Sequence, residues 1–177
     1  MILENYKNAC NTPSDINEHL PALKDLATEC DHVTEMGVRS VVSTWAFMAG
    51  LRATNSKLVS IDIEHPSKYG VDLEAITVGA KLEGVNFSFL LGDTLKLNIE
   101  ETDLLFIDTL HFAEQLEKEL ELHASKVRKY IAFHDTTSSA EELVPVINKF
   151  LSEHPEWQVH KVYTNNNGLT ILKHGDI

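Results

Sequence analysis

The chain has 177 residues, of which 27 are acidic and 15 are basic, giving a formal net charge of −12. Because nucleic-acid binding depends largely on Lys and Arg side chains that replace counterions, this charge balance argues against a nucleic-acid ligand. With 43% hydrophobic residues and no apolar run long enough to span a bilayer, the sequence predicts one cytoplasmic domain over residues 1–177, with residues 1–14 as an N-terminal extension.

Helix and strand patterns alternate from the start of the predicted domain. Asp15 is a good N-cap for a helix whose apolar positions recur every three or four residues, with Pro21 marking a start or a bend. A strand is predicted at 32–36, followed by a turn at Gly37 and an apolar helix at 44–51. Strand, glycine turn and helix together open a βαβ unit.

The middle of the chain continues the alternation. Buried strands are predicted at 57–62, 86–91 and 104–108, with a helix between the first two. Apolar residues at four-residue steps from Phe112 to Ala124 then predict an amphipathic helix. Its exposed side is predicted to carry an ion pair between Glu114 and Lys118 and a solvated face of Glu117, Glu119 and Glu121. Its C-terminus is predicted to carry the basic residues Lys126, Arg128 and Lys129.

The last third changes pattern after one more strand and helix, at 130–133 and 139–150. Strands at 159–163 and 169–172 are separated only by 164–168, a segment of residues that tolerate positive φ, which predicts a hairpin. The whole pattern predicts an α/β fold with a mostly parallel seven-stranded sheet and a C-terminal antiparallel hairpin.

Polar residues follow the predicted parallel strands at their carboxyl ends, where ligands bind in open sheets of this kind. Gly37 removes a side chain at the first strand end, and Ser43 offers a hydroxyl at a helix start. Asp62 at the second strand end suits ribose hydroxyls, with a turn cap as the alternative. The three-glycine fingerprint of nicotinamide-binding folds is missing, because Val41 and Val42 fill the turn.

Five segments in order resemble class I S-adenosylmethionine (SAM)-dependent methyltransferases, a Rossmann-like three-layer family. They are VTEMGVRSVVST at 33–44, LGD at 91–93, LFIDTLH at 105–111, FHDT at 133–136 and NGLTIL at 167–172. The likeness spans residues 15–172 and is closest to the group of macrocin O-methyltransferases and cephalosporin hydroxylase-like proteins.

The resemblance implies a cofactor site on the first three strand ends. Glu35 and Gly37 match the motif beside the methionine part of SAM, Asp62 matches the acid on the ribose, and Gly92 and Asp93 match the loop beside the adenine. One departure is that Val41 or Val42 stands where the family commonly has a small residue, often glycine, which would narrow the cofactor pocket.

The fourth and fifth strand ends match the metal site of related O-methyltransferases. The resemblance implies a divalent cation on Asp108, His134 and Asp135, with magnesium as the first choice; manganese, iron or no metal, with these residues as strand-end caps, stay open. His111 matches the position of a general base, with an exposed residue at a helix start as the alternative. The remaining histidines considered are assigned to the surface or to turns: His32, His65, His123, His154, His160 and His174.

The sequence thus predicts a SAM-dependent methyltransferase that methylates the oxygen of a small hydroxylated acceptor, with metal assistance open. The alternatives are a non-catalytic binding domain and a non-methyltransferase, hydroxylase-like enzyme on the same scaffold. We expect a small-molecule substrate, no nucleic-acid partner and no membrane partner; assembly into a homo-oligomer stays open. Cys10 and Cys30 are expected to be free thiols.

Overall fold

The computed structural model describes residues 1–175 and contains seven strands and six helices longer than one turn. The strands are β1 (His32–Met36), β2 (Lys57–Asp62), β3 (Asn86–Leu91), β4 (Thr102–Ile107), β5 (Val127–His134), β6 (Trp157–Tyr163) and β7 (Leu169–His174). The helices are α1 (Ile2–Asn11), α2 (Leu20–Ala27), α3 (Val42–Leu51), α4 (Leu73–Leu82), α5 (Ala113–His123) and α6 (Ala140–Glu153). No helix in this part of the chain is long and apolar enough to cross a membrane.

The strands form one sheet in the order β3-β2-β1-β4-β5-β7-β6. β1 to β5 are parallel, whereas β7 is antiparallel to both β5 and β6. The predicted fold class is therefore confirmed, including the C-terminal hairpin, whose second strand inserts beside β5. Strand order reverses between β1 and β4, and the carboxyl ends of these two strands consequently form the switch point at which open α/β sheets bind ligands.

Two apolar layers cover the faces of the sheet. Leu104 and Phe106 of β4 pack into a core with α1 to α4, while the alternating Leu105 and Ile107 pack into a second core with α5 and α6. This alternation follows from the two-residue period of a strand. Burial on both faces explains the apolar run of residues 104–107 in β4.

The N-terminal region differs from the prediction in two places. Residues 2–11 form α1, whose Ile2 is fully buried, so the extension is part of the packed domain. Asp15 does not cap a helix: the Ser14 hydroxyl accepts the Asn17 N–H at 3.0 Å, and α2 begins only at Leu20. Pro21 lies in the first turn of α2, where no helical N–H is required.

Several polar residues assigned to the surface are buried instead. Glu119 has no exposed surface, so its assignment to a solvated helix face was wrong. His32 and His123 are also buried, each with one ring nitrogen on a backbone carbonyl, that of Glu101 at 2.7 Å and that of Thr94 at 2.8 Å. The predicted ion pair between Glu114 and Lys118 is confirmed, at 2.7 Å.

Candidate active site

The carboxyl edge of the sheet has two halves, which we define by their strands. The first half comprises the ends of β1, β2 and β3, and the second half comprises the ends of β4 and β5. Gly37, directly after β1, joins them: its φ is +88°, and a Cβ atom there would lie 1.8 Å from the backbone oxygen of Asp108. Only glycine allows the β1 loop to approach the end of β4 this closely.

Glu35 lies beneath the first half and is fully buried. Its carboxylate accepts hydrogen bonds from the hydroxyls of Ser43 at 2.5 Å, Thr44 at 2.9 Å and Ser60 at 2.5 Å. Burial raises the pKa of Glu35 to about 7, because three neutral donors only partly offset the loss of solvation. Glu35 and Ser43 thus join β1, β2 and α3 under the surface of the edge.

Asp62, at the end of β2, shapes the loop that follows β1. Its Oδ2 accepts the backbone N–H groups of Val38 at 2.7 Å and Arg39 at 2.9 Å, and its Oδ1 accepts that of Glu64 at 2.9 Å. Oδ1 therefore keeps a lone pair for a further donor such as a ribose hydroxyl. The cap role and the ligand role predicted from the sequence are compatible with one carboxylate.

The loop after β3 closes the first half. The N–H of Gly92 donates to the backbone oxygen of Asp62 at 2.8 Å. Asp93 caps the following turn, since its side chain accepts the Leu95 N–H at 3.0 Å and pairs with Lys96 at 3.0 Å. The hydrogen bond between Gly92 and Asp62 thus ties the predicted adenine loop to the residue predicted to bind the ribose.

Val41 precedes α3 with a φ of 62°, a left-handed conformation that is rare for a β-branched residue. Its side chain is only 4% exposed and packs in the core with α1 to α4, while Val42 begins α3. Val41 thus keeps the backbone conformation that glycine favours, with its side chain turned into the protein. A strained backbone at this position is a feature of functional loops.

The second half holds a compact polar cluster, which we call the acid–imidazole cluster: Asp108, His111, His134 and Asp135. The Nε2 atom of His111 lies 2.9 Å from Oδ2 of Asp135 and 3.5 Å from Oδ1 of Asp108. Asp135 has a φ of 59°, and its Oδ1 accepts the Ser138 hydroxyl at 2.6 Å. The loops after β4 and β5 therefore converge on two carboxylates.

His134 presents both ring nitrogens to acceptors. Its Nδ1 lies 2.9 Å from Oδ2 of Asp135 and 3.5 Å from Oδ1 of Asp108, and its Nε2 lies 3.3 Å from the backbone oxygen of Asn166. Burial opposes a charge on this ring, but the two carboxylates prevail and raise the pKa of His134 to about 10. The ring of His134 is therefore positively charged at neutral pH.

His111 is more exposed, and hydrogen bonds from its ring to Asp108 and Asp135 raise its pKa to about 9. Burial opposes ionisation of Asp135, but His111, His134 and Ser138 donate to it and hold its pKa below its usual value. Two imidazolium rings thus face two carboxylates. His111 must lose its proton before it can accept one from a substrate.

A metal ion would fit this cluster, and the structure adds a second imidazole to the predicted one. Ligand atoms of Asp108, His111 and Asp135 all lie within 4.8 Å of one another. Ligands about 2.0–2.3 Å from a divalent cation lie roughly 3 Å apart, close to the separations of His111 from the two carboxylates. Nδ1 of His134 lies at the same separations, 2.9 Å and 3.5 Å, so His134 stays the predicted third ligand and His111 is a second candidate.

Several residues of this edge escaped the sequence reasoning. Asn166 was considered only as a hairpin residue, yet its backbone oxygen meets His134 and its side-chain amide bridges Ser14 and Glu18. His19 is fully buried, with Nε2 near the backbone oxygens of Asn165 and Asn166. The asparagine run in 164–168 was the available signal, since turn residues that also carry amides can bind neighbouring loops.

Comparisons with known proteins agree with the fold. No protein-family model and no curated protein matches the sequence. Among solved structures, an O-methyltransferase from Bacillus cereus in complex with SAH, the demethylated product of SAM, matches with a TM-score of 0.64 and 16% identity over 98% of this chain and 88% of that chain.

Two further structures give the same result. The SAH-bound methyltransferase PaMTH1 from Podospora anserina matches with a TM-score of 0.64 and 16% identity, covering 98% of this chain and 87% of its own. The O-methyltransferase TomG from Streptomyces achromogenes, in complex with SAM, matches with a TM-score of 0.64 and 13% identity, covering 97% and 89%. At these identities the likeness establishes a shared fold.

Proposed function

We propose that the protein is a SAM-dependent methyltransferase that methylates the oxygen of a small hydroxylated acceptor. The observation that carries the proposal is the contact at Gly37, which brings a cofactor-type loop against the backbone of Asp108 and thus beside the acid–imidazole cluster. A methyl donor on the first half and a hydroxyl on the second half would meet at this point. The fold shared with SAM-bound and SAH-bound proteins supports this arrangement.

The first half supplies the cofactor contacts in this proposal. Gly37 lets the β1 loop lie directly against the end of β4, the free lone pair of Asp62 accepts a ribose hydroxyl, and Gly92 and Asp93 flank the adenine. Bound SAM supplies an electrophilic methyl group, whose transfer requires mainly alignment and exclusion of water. Glu35 and Ser43 support this surface from beneath.

The second half handles the acceptor. Asp108 orients the hydroxyl, and Nδ1 of His111 takes its proton as the oxygen–methyl bond forms, because Nε2 keeps its own proton on Asp135. Because the two carboxylates raise the pKa of His111 to about 9, the rate is expected to rise with pH towards that value. His134 carries no proton to or from the acceptor in this scheme; it holds Asp135 in place.

A divalent cation is the second way in which this cluster would act on a hydroxyl. Asp108, His111 and Asp135 would hold the ion, which would bind the hydroxyl oxygen and lower its pKa. His111 is then a ligand and not a base. In this case magnesium or manganese raises the melting temperature of the wild type and not that of Asp108→Asn, and a manganese soak gives an anomalous peak between these residues. A soak that gives no peak would contradict the metal site and leave His111 as the general base.

Calorimetric titration with SAM and SAH, with and without magnesium, tests the function itself. Asp62→Ala is expected to weaken binding at least tenfold, since a charge-assisted hydrogen bond is worth about 1.5–3 kcal/mol. Asp72→Ala is the matched control, because Asp72 also accepts a backbone N–H, that of Ala75 at 3.0 Å, but its side chain caps α4 and not the loop after β1. Equal affinities of both variants and the wild type would contradict the cofactor site. No binding by the wild type would favour a non-catalytic domain or another enzyme class.

His111→Gln tests the acceptor half once a panel of hydroxylated compounds has given a substrate. The variant is expected to keep SAH affinity and to transfer methyl groups about 10²–10⁴-fold more slowly, the usual effect of losing a positioned base. Transfer at the wild-type rate would exclude His111 as the base.

A further inference from the structure

Glu119 is a buried carboxyl group on α5 that the proposed reaction does not use. It lies on a helix otherwise rich in exposed acids, yet it has no exposed surface. Its Oε1 accepts the Thr94 hydroxyl at 2.6 Å and the Gln115 amide at 2.8 Å, and its Oε2 accepts the Thr109 hydroxyl at 2.9 Å. All three donors are neutral, so their hydrogen bonds alone offset the loss of solvation.

The two carboxyl oxygens contact two different loops of the edge. Thr94 directly follows Asp93 in the loop after β3, and Thr109 directly follows Asp108 in the loop after β4. One turn further along α5, His123 Nε2 lies 2.8 Å from the backbone oxygen of Thr94 and fixes the same loop. α5 therefore connects the predicted adenine loop to the carboxylate that faces the acceptor.

A buried carboxyl group is a poor choice if the position only has to fill space, because an apolar side chain of similar volume is often as stabilising or more so. A two-oxygen acceptor, in contrast, fixes the distance between two hydroxyl donors from different loops. We propose that Glu119 is a positioning residue that holds the cofactor loop at 92–95 and the acceptor loop at 108–111 in register, so that cofactor affinity depends on the acceptor-side loop. This inference rests on the proposed function.

The experiment compares Glu119→Ala and Glu119→Gln by SAH titration and by amide hydrogen exchange in both loops. Glu119→Ala is expected to weaken SAH binding about tenfold and to speed exchange at 92–95 and 108–111 together. Glu119→Gln is expected to stay within about threefold of the wild type, because its amide still accepts one threonine hydroxyl and donates to the other.

Asp103→Ala is the matched control. Asp103 is an equally buried acid that accepts the Asp31 N–H at 2.7 Å and pairs with Arg128 at 3.1 Å, at the opposite end of β4. Its loss is expected to lower stability without changing SAH affinity or exchange in the two loops. If Glu119→Ala behaves like Asp103→Ala, or like the wild type, the positioning role is overturned.

Isosteric removal of the two hydroxyls keeps the proposal testable if Glu119→Ala does not fold. Thr94→Val and Thr109→Val each break one side of the bridge, so the double variant should lose little more SAH affinity than either single one. Purely additive losses would contradict the coupling. If the wild type binds no SAH, the proposed function fails, whereas exchange in the two loops still decides whether Glu119 joins them.

Discussion

The two halves of the carboxyl edge bury carboxyl groups to a similar extent but give them different partners. In the first half, Glu35 is surrounded by hydroxyls, and its pKa rises to about 7. In the second half, Asp135 lies between two imidazole rings, and its pKa falls although burial acts in the opposite direction. The charge of the donors, and not burial alone, sets the ionisation of a buried acid.

Under the proposed function, this difference divides the work of the site. A neutral hydroxyl network gives a surface whose shape depends little on the protonation of its donors, as a cofactor platform requires. A cluster of titratable groups at the ends of β4 and β5 holds mobile protons next to the predicted acceptor. The contact at Gly37 joins the two halves, so a substitution there should disturb both.

Gly37→Ala should have the largest effect. The added Cβ meets the Asp108 oxygen at 1.8 Å, so we expect a loss of more than about 4 kcal/mol in the free energy of unfolding, or no folding at all. Gly70→Ala is the control, because Gly70 has a φ of +77° with nothing within 4 Å and should lose only about 1 kcal/mol. Urea denaturation of both variants measures the difference, and similar losses would show that the two halves are not in contact.

Removing one donor from each half should have the next largest effect. His134→Leu leaves the buried Asp135 without one charged partner and should lower the free energy of unfolding by about 3 kcal/mol at pH 7. Ser60→Ala removes one of three hydroxyls from Glu35 and should lower it by only about 1 kcal/mol. The measurement is again urea denaturation, and a larger loss for Ser60→Ala would reverse the comparison.

The two halves should also respond to pH in different windows. The pKa of Glu35 is raised from about 4.5 unfolded to about 7, so its stabilising contribution is full below pH 4.5 and is lost as pH rises towards 7. The pKa of His134 is raised from about 6.5 to about 10, so its contribution disappears between those values. Each of these two pH windows should change the free energy of unfolding by about 1–3 kcal/mol. This is less than the full pKa shifts would give, because the groups are coupled to their neighbours.

Unfolding of the wild type, Glu35→Gln and His134→Gln across pH 4 to 10 measures these windows. Glu35→Gln should flatten the curve only below about pH 7, and His134→Gln should flatten it only above about pH 6.5. A variant that changes the other window would show that the two halves titrate as one network.

Val41→Gly should have the smallest net effect. Release of the left-handed strain, about 1–2 kcal/mol, opposes the loss of a buried isopropyl group, so the free energy of unfolding should change by less than about 1 kcal/mol. Val38 is equally buried, at 4% exposure, without positive φ, so Val38→Gly should lose about 2–3 kcal/mol. Equal losses in thermal or urea denaturation would show that Val41 is not strained.

Local sequence patterns predicted most of the fold, because the order of apolar and polar residues along a segment differs between strands and helices. β1, β2 and β3 have the predicted bounds. β5 begins earlier than predicted, since Arg128 lies in the strand, where it pairs with Asp103 at 3.1 Å. In the sequence alone, each member of a charged pair between neighbouring strands looks like part of a solvent-exposed segment, because no local pattern shows which strand lies beside it.

The amino-acid sequence was enough to predict the fold class, the alternation of strands and helices from β1 onwards, and the convergence of Gly37, Asp62, Asp108 and Asp135 at one edge. Those properties follow from residue periodicity and from the rule that parallel strands end on the same side. The three-dimensional packing was needed to show that His111 lies within ligand distance of both carboxylates, and that Glu119 bridges two loops. Such pairings depend on loop paths and side-chain directions between residues far apart in the chain, which no local pattern encodes.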